Sequence, residues 1–151
     1  MPIEPHGGTL VNRVLAEERA CEARQRAKEM PQVPVSAAVV RDAENIAAGI
    51  MSPLSGFMVH GDFKGVVDDM HLANGMVWTI PIAVATDRET AGRLRIGKDA
   101  ALVGPDNEVA AVLHLQDKFT VDKKHCALQV FRTTDEAHPG AVQPAPSRRT
   151  L

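Results

Sequence analysis

Apolar positions along this chain follow two rhythms, and the change between them comes near residue 77. In the first half Leu10, Val11, Val14 and Leu15 recur at helical spacing behind Thr9, a residue able to cap a helix start. That spacing predicts a first helix. From Glu17 through Glu29 the apolar signal gives way to mixed charges, the composition of a solvated helical face. Met30-Pro31 and Val33-Pro34 stop the helix, because the residue ahead of a proline is pushed out of the α region. Ser36 is placed to cap a second helix, whose apolar stripe is Val39, Val40, Ala43, Ile46 and Ala47 and whose close is Gly49, a left-handed C-cap candidate. Past the Ser52-Pro53 turn, Leu54, Phe57 and Met58 are placed to fold back on that stripe as a hydrophobic plug. A third, shorter helix is predicted from Asp62, carrying Val66, Val67 and Met70.

From Val77 the period becomes two. Trp78, Ile80, Ile82 and Val84 alternate as in a half-buried strand, which Pro81 confines to an edge or bulge. A short helix from Asp87, a strand around 100–103, a turn at Gly104-Pro105-Asp106-Asn107 and a long strand from Val109 to about Phe119 follow. Asp122 is placed to cap a last helix with Ala127, Leu128, Val130 and Phe131 as its apolar contacts. Helices first and strands later predict an α+β domain on a small mixed or barrel-like sheet. The domain is expected over 1–140, and the proline-rich tail over 141–151 is expected to be disordered. There is no internal repeat.

Composition narrows the function. The 151 residues fit one domain. Aromatic residues are 3% of the chain, with no Tyr, so stacking is not a major binding device. A formal charge of −2 gives no attraction for phosphate backbones, which argues against a nucleic-acid partner. Cys21 and Cys126 lie far apart, outside any CxxC pair, and read as reduced thiols of a cytoplasmic protein. No apolar run approaches the ~20 residues that span a bilayer, and the N-terminus has neither a basic nor an apolar leader region, so no membrane association is expected.

Four blocks in fixed order carry a more specific signal: Pro5-His6-Gly7-Gly8-Thr9-Leu10-Val11, Ser52-Pro53-Leu54-Ser55-Gly56-Phe57-Met58, Trp78-Thr79-Ile80-Pro81-Ile82, and Phe131 to Gly140. Together they resemble the N-terminal domain of the ATP sulfurylases (sulfate adenylyltransferases), from about Pro5 to Gly140. The resemblance implies a PUA-like β-barrel flanked by helices and a link to sulfate activation, in which a sulfate oxygen attacks the α-phosphorus of ATP and pyrophosphate leaves. In that family the chemistry belongs to a second domain, with a Gln-x-Arg-Asn motif and a close pair of histidines. Here Gln25, Gln32, Gln116, Gln129 and Gln143 are not followed by x-Arg-Asn, and His6, His60, His71, His114, His125 and His138 are scattered. No catalytic, substrate-binding or metal-ligating residue and no cofactor is therefore assigned. The expected partner is a sulfurylase catalytic domain or a second copy of the chain. Three origins stay open: a truncated gene product, a natural stand-alone domain, and a non-catalytic interaction module packing on a separately encoded catalytic domain.

The remaining chemistry-bearing residues read as structural. Gly97-Lys98 lacks the upstream glycine and following Ser/Thr of a P-loop. His114 sits alone in a strand pattern. Asp68 and Asp69 diverge by about 100° on a helix, so with His71 they make a poor metal cluster. His6 and the Thr133 to His138 segment are the best polar candidates, and both are expected to serve turns and domain joining. Arg132 stands where the resembling family tends to carry Gly; at positive φ an Arg there costs about a kcal/mol.

Overall fold

A computed structural model describes residues 3–135 and 137–139, and the backbone of 149–150. The chain divides into two compact units, Met1–Phe57 with Arg93–Gln116, and Met58–Gly92 with Asp117–Leu151.

The first unit contains α1 (Glu17–Ala27), β1 (Gln32–Pro34), α2 (Ala37–Ala47), β3 (Asp99–Val103) and β4 (Val109–His114). Its sheet has the order β1-β3-β4. β1 runs parallel to β3, and β3 pairs antiparallel with β4 from Asp99↔His114 to Val103↔Val109, with a register shift between Leu102 and Val103. The turn between β3 and β4 is closed by the Asn107 N–H donating to the Gly104 carbonyl (3.0 Å), with Asn107 at φ 67. α1 and α2 both lie against β4. Val33, Ala27 and Ala101 are fully buried and Leu102 nearly so; Met30, Val109 and Val112 pack on the Ala27, Ala101 and Val103 cluster.

The charged run is thus α1 itself. It forms from good helix formers, with Glu17 and Glu18 in its first turn and Arg24 and Arg26 in its last, each sign matched to the helix dipole. The helix expected behind Thr9 is absent: residues 9–16 are irregular. Arg13 N–H donates to the Ala47 carbonyl (2.8 Å), and Val11 N–H to Ser52 Oγ (3.0 Å). The last carbonyls of a helix have no partner within it, so α2 takes one from this arm, and tertiary pairing overrides local periodicity. Ser36 caps α2 as expected, accepting from Val39 N–H, and Gly49 follows its end at φ 82. β1 was not foreseen from the sequence; Val33 supplies its one buried side chain.

The second unit contains α3 (His60–Asp69), β2 (Ala85–Thr86), α4 (Arg88–Arg93, whose last residue falls in the first unit), β5 (Phe119–Thr120), α5 (Lys123–Phe131) and β6 (Arg149–Thr150). Its sheet, β2-β6-β5, is antiparallel throughout. α3 lies against α5, Phe63 stacks on Phe119 with ring centres 5.2 Å apart, and Met58, Val66, Val67, Leu72, Val84 and Ala91 are buried.

Four sequence expectations change here. α3 starts two residues before Asp62. The alternating stretch from Val77 to Val84 forms only a single bridge, His71↔Val77, because Trp78 N–H is taken by the Met70 carbonyl and Ile82 N–H by Met58 Sδ. The long strand from Val109 is β4 followed, after a break, by β5 in the other sheet. Leu54 is buried in the first unit and Phe57 half-buried, but Met58 belongs to the second unit's core, so the plug is divided. The architecture is α+β, as expected, yet among the described residues the two three-stranded sheets stay open rather than closing a barrel. The expected disordered tail falls mainly outside the described residues; Arg149 and Thr150 within it pair as β6.

Candidate functional site

Ser52 is the most constrained polar side chain of the first unit. It is buried, its peptide bond to Pro53 is cis, and its Oγ donates to the Gly49 carbonyl (2.7 Å) while accepting from Val11 N–H. Both capacities of the hydroxyl are used to join the N-terminal arm to the end of α2. Gly49 completes the joint: a Cβ there would lie 2.3 Å from the Val11 carbonyl oxygen and 2.9 Å from Leu10 Cδ1. His6 sits in a turn that Gly8 N–H closes on the Pro5 carbonyl (2.8 Å), with Gly7 and Gly8 both at φ 77.

The Gly97-Lys98 step borders an open basin of about 480 Å³ that also touches Glu29, Arg93, Arg95, Asp99 and Leu115. Its backbone is committed elsewhere: Gly97 N–H donates to the Leu115 carbonyl (2.7 Å) and Lys98 N–H to the Arg95 carbonyl (3.1 Å). Those amides are unavailable as a phosphate cradle. His114 Nδ1–H donates to Asp99 Oδ1 (2.7 Å) across the β3–β4 pair, a surface contact with no catalytic geometry.

In the second unit Asp68 accepts from Lys64 Nζ (2.6 Å) and from His125 Nε2 (2.9 Å), tying α3 to α5. The hydrogen bonds from Lys64 and His125 hold its carboxyl below the ordinary carboxylate range, and Asp68 in turn raises the Lys64 ammonium. Asp68 therefore does not join Asp69 and His71; His71 Nδ1–H donates instead to the Asp69 carbonyl. Among the described residues no group of three or more His, Cys, Asp or Glu could hold a metal ion. The i,i+4 spacing of Lys64 and Asp68 was visible in the sequence, whereas His125 lies 57 residues from its partner and gave no signal.

The Phe131 to His138 segment closes on itself. α5, capped by Asp122 through the N–H groups of Lys124 and His125, ends at Arg132 with φ 58. Asp135 N–H donates to Thr133 Oγ1, Asp135 Oδ1 accepts from Ala137 N–H, and the His138 ring stacks on Phe131 at 5.3 Å. Glu136 lies outside the described residues. Arg132 thus occupies the left-handed conformation in which glycine is unstrained. Burial, and secondarily Asp122, raise the Cys126 thiol, while Cys21 is exposed; both are free. Among the described residues no helix is long and apolar enough to cross a membrane.

Among the described residues these side chains serve turns, caps and joints. The PUA-like domain family matches residues 3–150, and the chain belongs to that family. Its relatives specify the kind. A sulfate adenylyltransferase of Synechococcus sp. (strain JA-3-3Ab) is 44% identical over 138 residues, 91% of this chain and 35% of the relative. A probable bifunctional SAT/APS kinase 2 of Sorangium cellulosum (strain So ce56) is 41% identical over 93% of this chain and 24% of its own length. Among solved structures, the hexameric APS kinase from Thiobacillus denitrificans superposes with a TM-score of 0.69 at 29% identity, over 80% of this chain and 24% of that one. The chain corresponds to the N-terminal domain of sulfate adenylyltransferases and spans about a third of their length.

Proposed function

We propose that this chain serves sulfate activation as a non-catalytic domain that supports a sulfurylase catalytic domain, joined to it or separately encoded. The observation that carries this reading is the match of 91% of the chain to 35% of a sulfate adenylyltransferase, in a sequence without Gln-x-Arg-Asn or a close histidine pair. The chemistry such an enzyme performs needs cationic groups and N–H donors converging on phosphate oxygens. In this chain Lys64, Asp68 and His125 brace α3 and α5 instead, and Asp99 and His114 brace β3 and β4. Two free thiols support a reducing, cytoplasmic setting.

The test is a chimera in which this chain replaces the matching third of the Synechococcus enzyme. Sulfate-dependent pyrophosphate release within about tenfold of the parent, a loss of no more than 1.4 kcal/mol in barrier terms, is expected. A folded chimera without activity contradicts the proposal.

A further inference from the structure

The N-terminal arm presents a contradiction that one arrangement resolves. Its backbone is fixed by the buried Ser52, by the Ala47 carbonyl and by close approach to Gly49, and Val11 is half-buried, yet Leu10, Val14 and Leu15 face water. Leu10 is 66% exposed, Val14 64%, Leu15 48%, and the adjoining Ile50 75%. The segment leading out of α5 offers much less: Leu128 is 49% exposed, Val130 and Phe131 are half-buried, and Thr133 to Asp135 are polar. Ordering a segment so as to hold apolar groups in solvent has no benefit among the described residues.

Resting on the function proposed above, we propose that Leu10, Val14, Leu15 and Ile50 form the face that packs on the sulfurylase catalytic domain. The arm lies within the matched residues 3–150, and about two thirds of the Synechococcus polypeptide lies outside the region this chain matches. Area decides between that occupant and a second copy. The four residues expose on the order of 400 Å², the scale of a functional patch and of one side of an interdomain contact that buries roughly 600–1,500 Å² in total. A stable dimer needs about 800 Å² from each partner, twice what this patch supplies.

Hydroxyl-radical footprinting of the full chain, alone and within the Synechococcus chimera, is the test. Modification of Leu10, Val14, Leu15 and Ile50 is expected to fall about threefold or more in the chimera, as at the core of a packed interface. Unchanged rates in an active chimera overturn this surface while leaving the proposed function standing. A folded but inactive chimera overturns both. Rates that fall in the isolated chain as its concentration rises assign the face to a second copy and overturn the proposal. A double variant, Leu10→Glu with Val14→Glu, should leave the thermal midpoint of the isolated chain unchanged and lower that of the chimera; equal effects in both contradict the proposal. A chimera with the Halothermothrix orenii enzyme, 42% identical over 91% of this chain, supplies a second host for the same measurements should the first not fold.

Discussion

The two units are held together differently. The first rests on an apolar ladder, with β3 flanked by β1 and β4 and with Val33, Ala101 and Leu102 essentially out of water. The second has strands of only two residues each, and aspartates act as its staples. Asp62 accepts from Ala73 N–H, Asp68 from Lys64 and His125, Asp87 from Thr90, Asp117 from His60 N–H, and Asp122 from Lys124 and His125 N–H. Cavities should therefore damage the first unit most, and acid the second. Charge-assisted bonds to surface amides give the second unit local order without a deep sheet, and they leave its stability tied to carboxylate ionisation.

The sharpest way to break this contrast is a cavity in the ladder. Leu102→Ala, at 1% exposure, should destabilise the first unit by about 2–5 kcal/mol. Urea unfolding followed by hydrogen exchange in β3 and β4 would show it; an unshifted midpoint would mean that the ladder does not carry the unit. Gly49→Ala tests the joint between arm and α2. With φ at 82 and the Val11 carbonyl oxygen 2.3 Å from the new methyl, the arm must move. The loss should be about 1–3 kcal/mol, with faster exchange at Val11 and Arg13. In the opposite direction, Arg132→Gly should raise the melting free energy of the second unit by about 1 kcal/mol by relieving the left-handed residue at the end of α5.

The pH dependence should separate the units with smaller effects, because the groups are largely solvent-exposed. Asp68 is held low by its bonds to Lys64 and His125, and Asp87 by Thr90's backbone and side-chain donors. Their stabilising contribution is full above the ordinary carboxylate value of about 3.9 and is lost as pH falls through their depressed folded values. Asp42 in the first unit has the reverse sign: burial raises its carboxyl against the lowering effect of Arg41. Its ionised form disfavours the folded state, and that penalty is relieved as pH falls through its raised folded value towards about 3.9. Exchange rates resolved by unit should show the first gaining stability on mild acidification and the second losing it only at lower pH. Asp42→Asn should abolish the gain. A common pH profile for both units would contradict the distinction.

What the sequence made legible was what is decided within a few residues. Ser36, Asp87 and Asp122 cap the helices assigned to them because a cap oxygen bonds N–H groups two or three positions ahead. The left-handed Arg132 was legible only through the glycine that the resembling family tends to carry there, and it falls at the end of α5, where such a residue is common. The arm from Leu10 to Leu15 was misread because Val11 finds its partner 41 residues away. The alternation from Trp78 to Val84 misled in the same way, since the Trp78 and Ile82 amides bond Met70 and Met58 rather than a neighbouring strand. The break after His114 falls at Gln116-Asp117-Lys118, a polar interruption between Leu115 and Phe119 that a single long strand had to run through. The absent Gln-x-Arg-Asn was readable without structure, whereas the exposed face of the arm required the fold.

The central proposal is that this chain supports sulfate activation without nucleotide chemistry of its own. The direct test is a pyrophosphate-release assay on the purified chain with ATP and magnesium, with and without sulfate, using material freed of host sulfurylase. No sulfate-dependent release is expected at any chain concentration. Release that requires sulfate, scales with the amount of chain and persists through further purification would contradict the account.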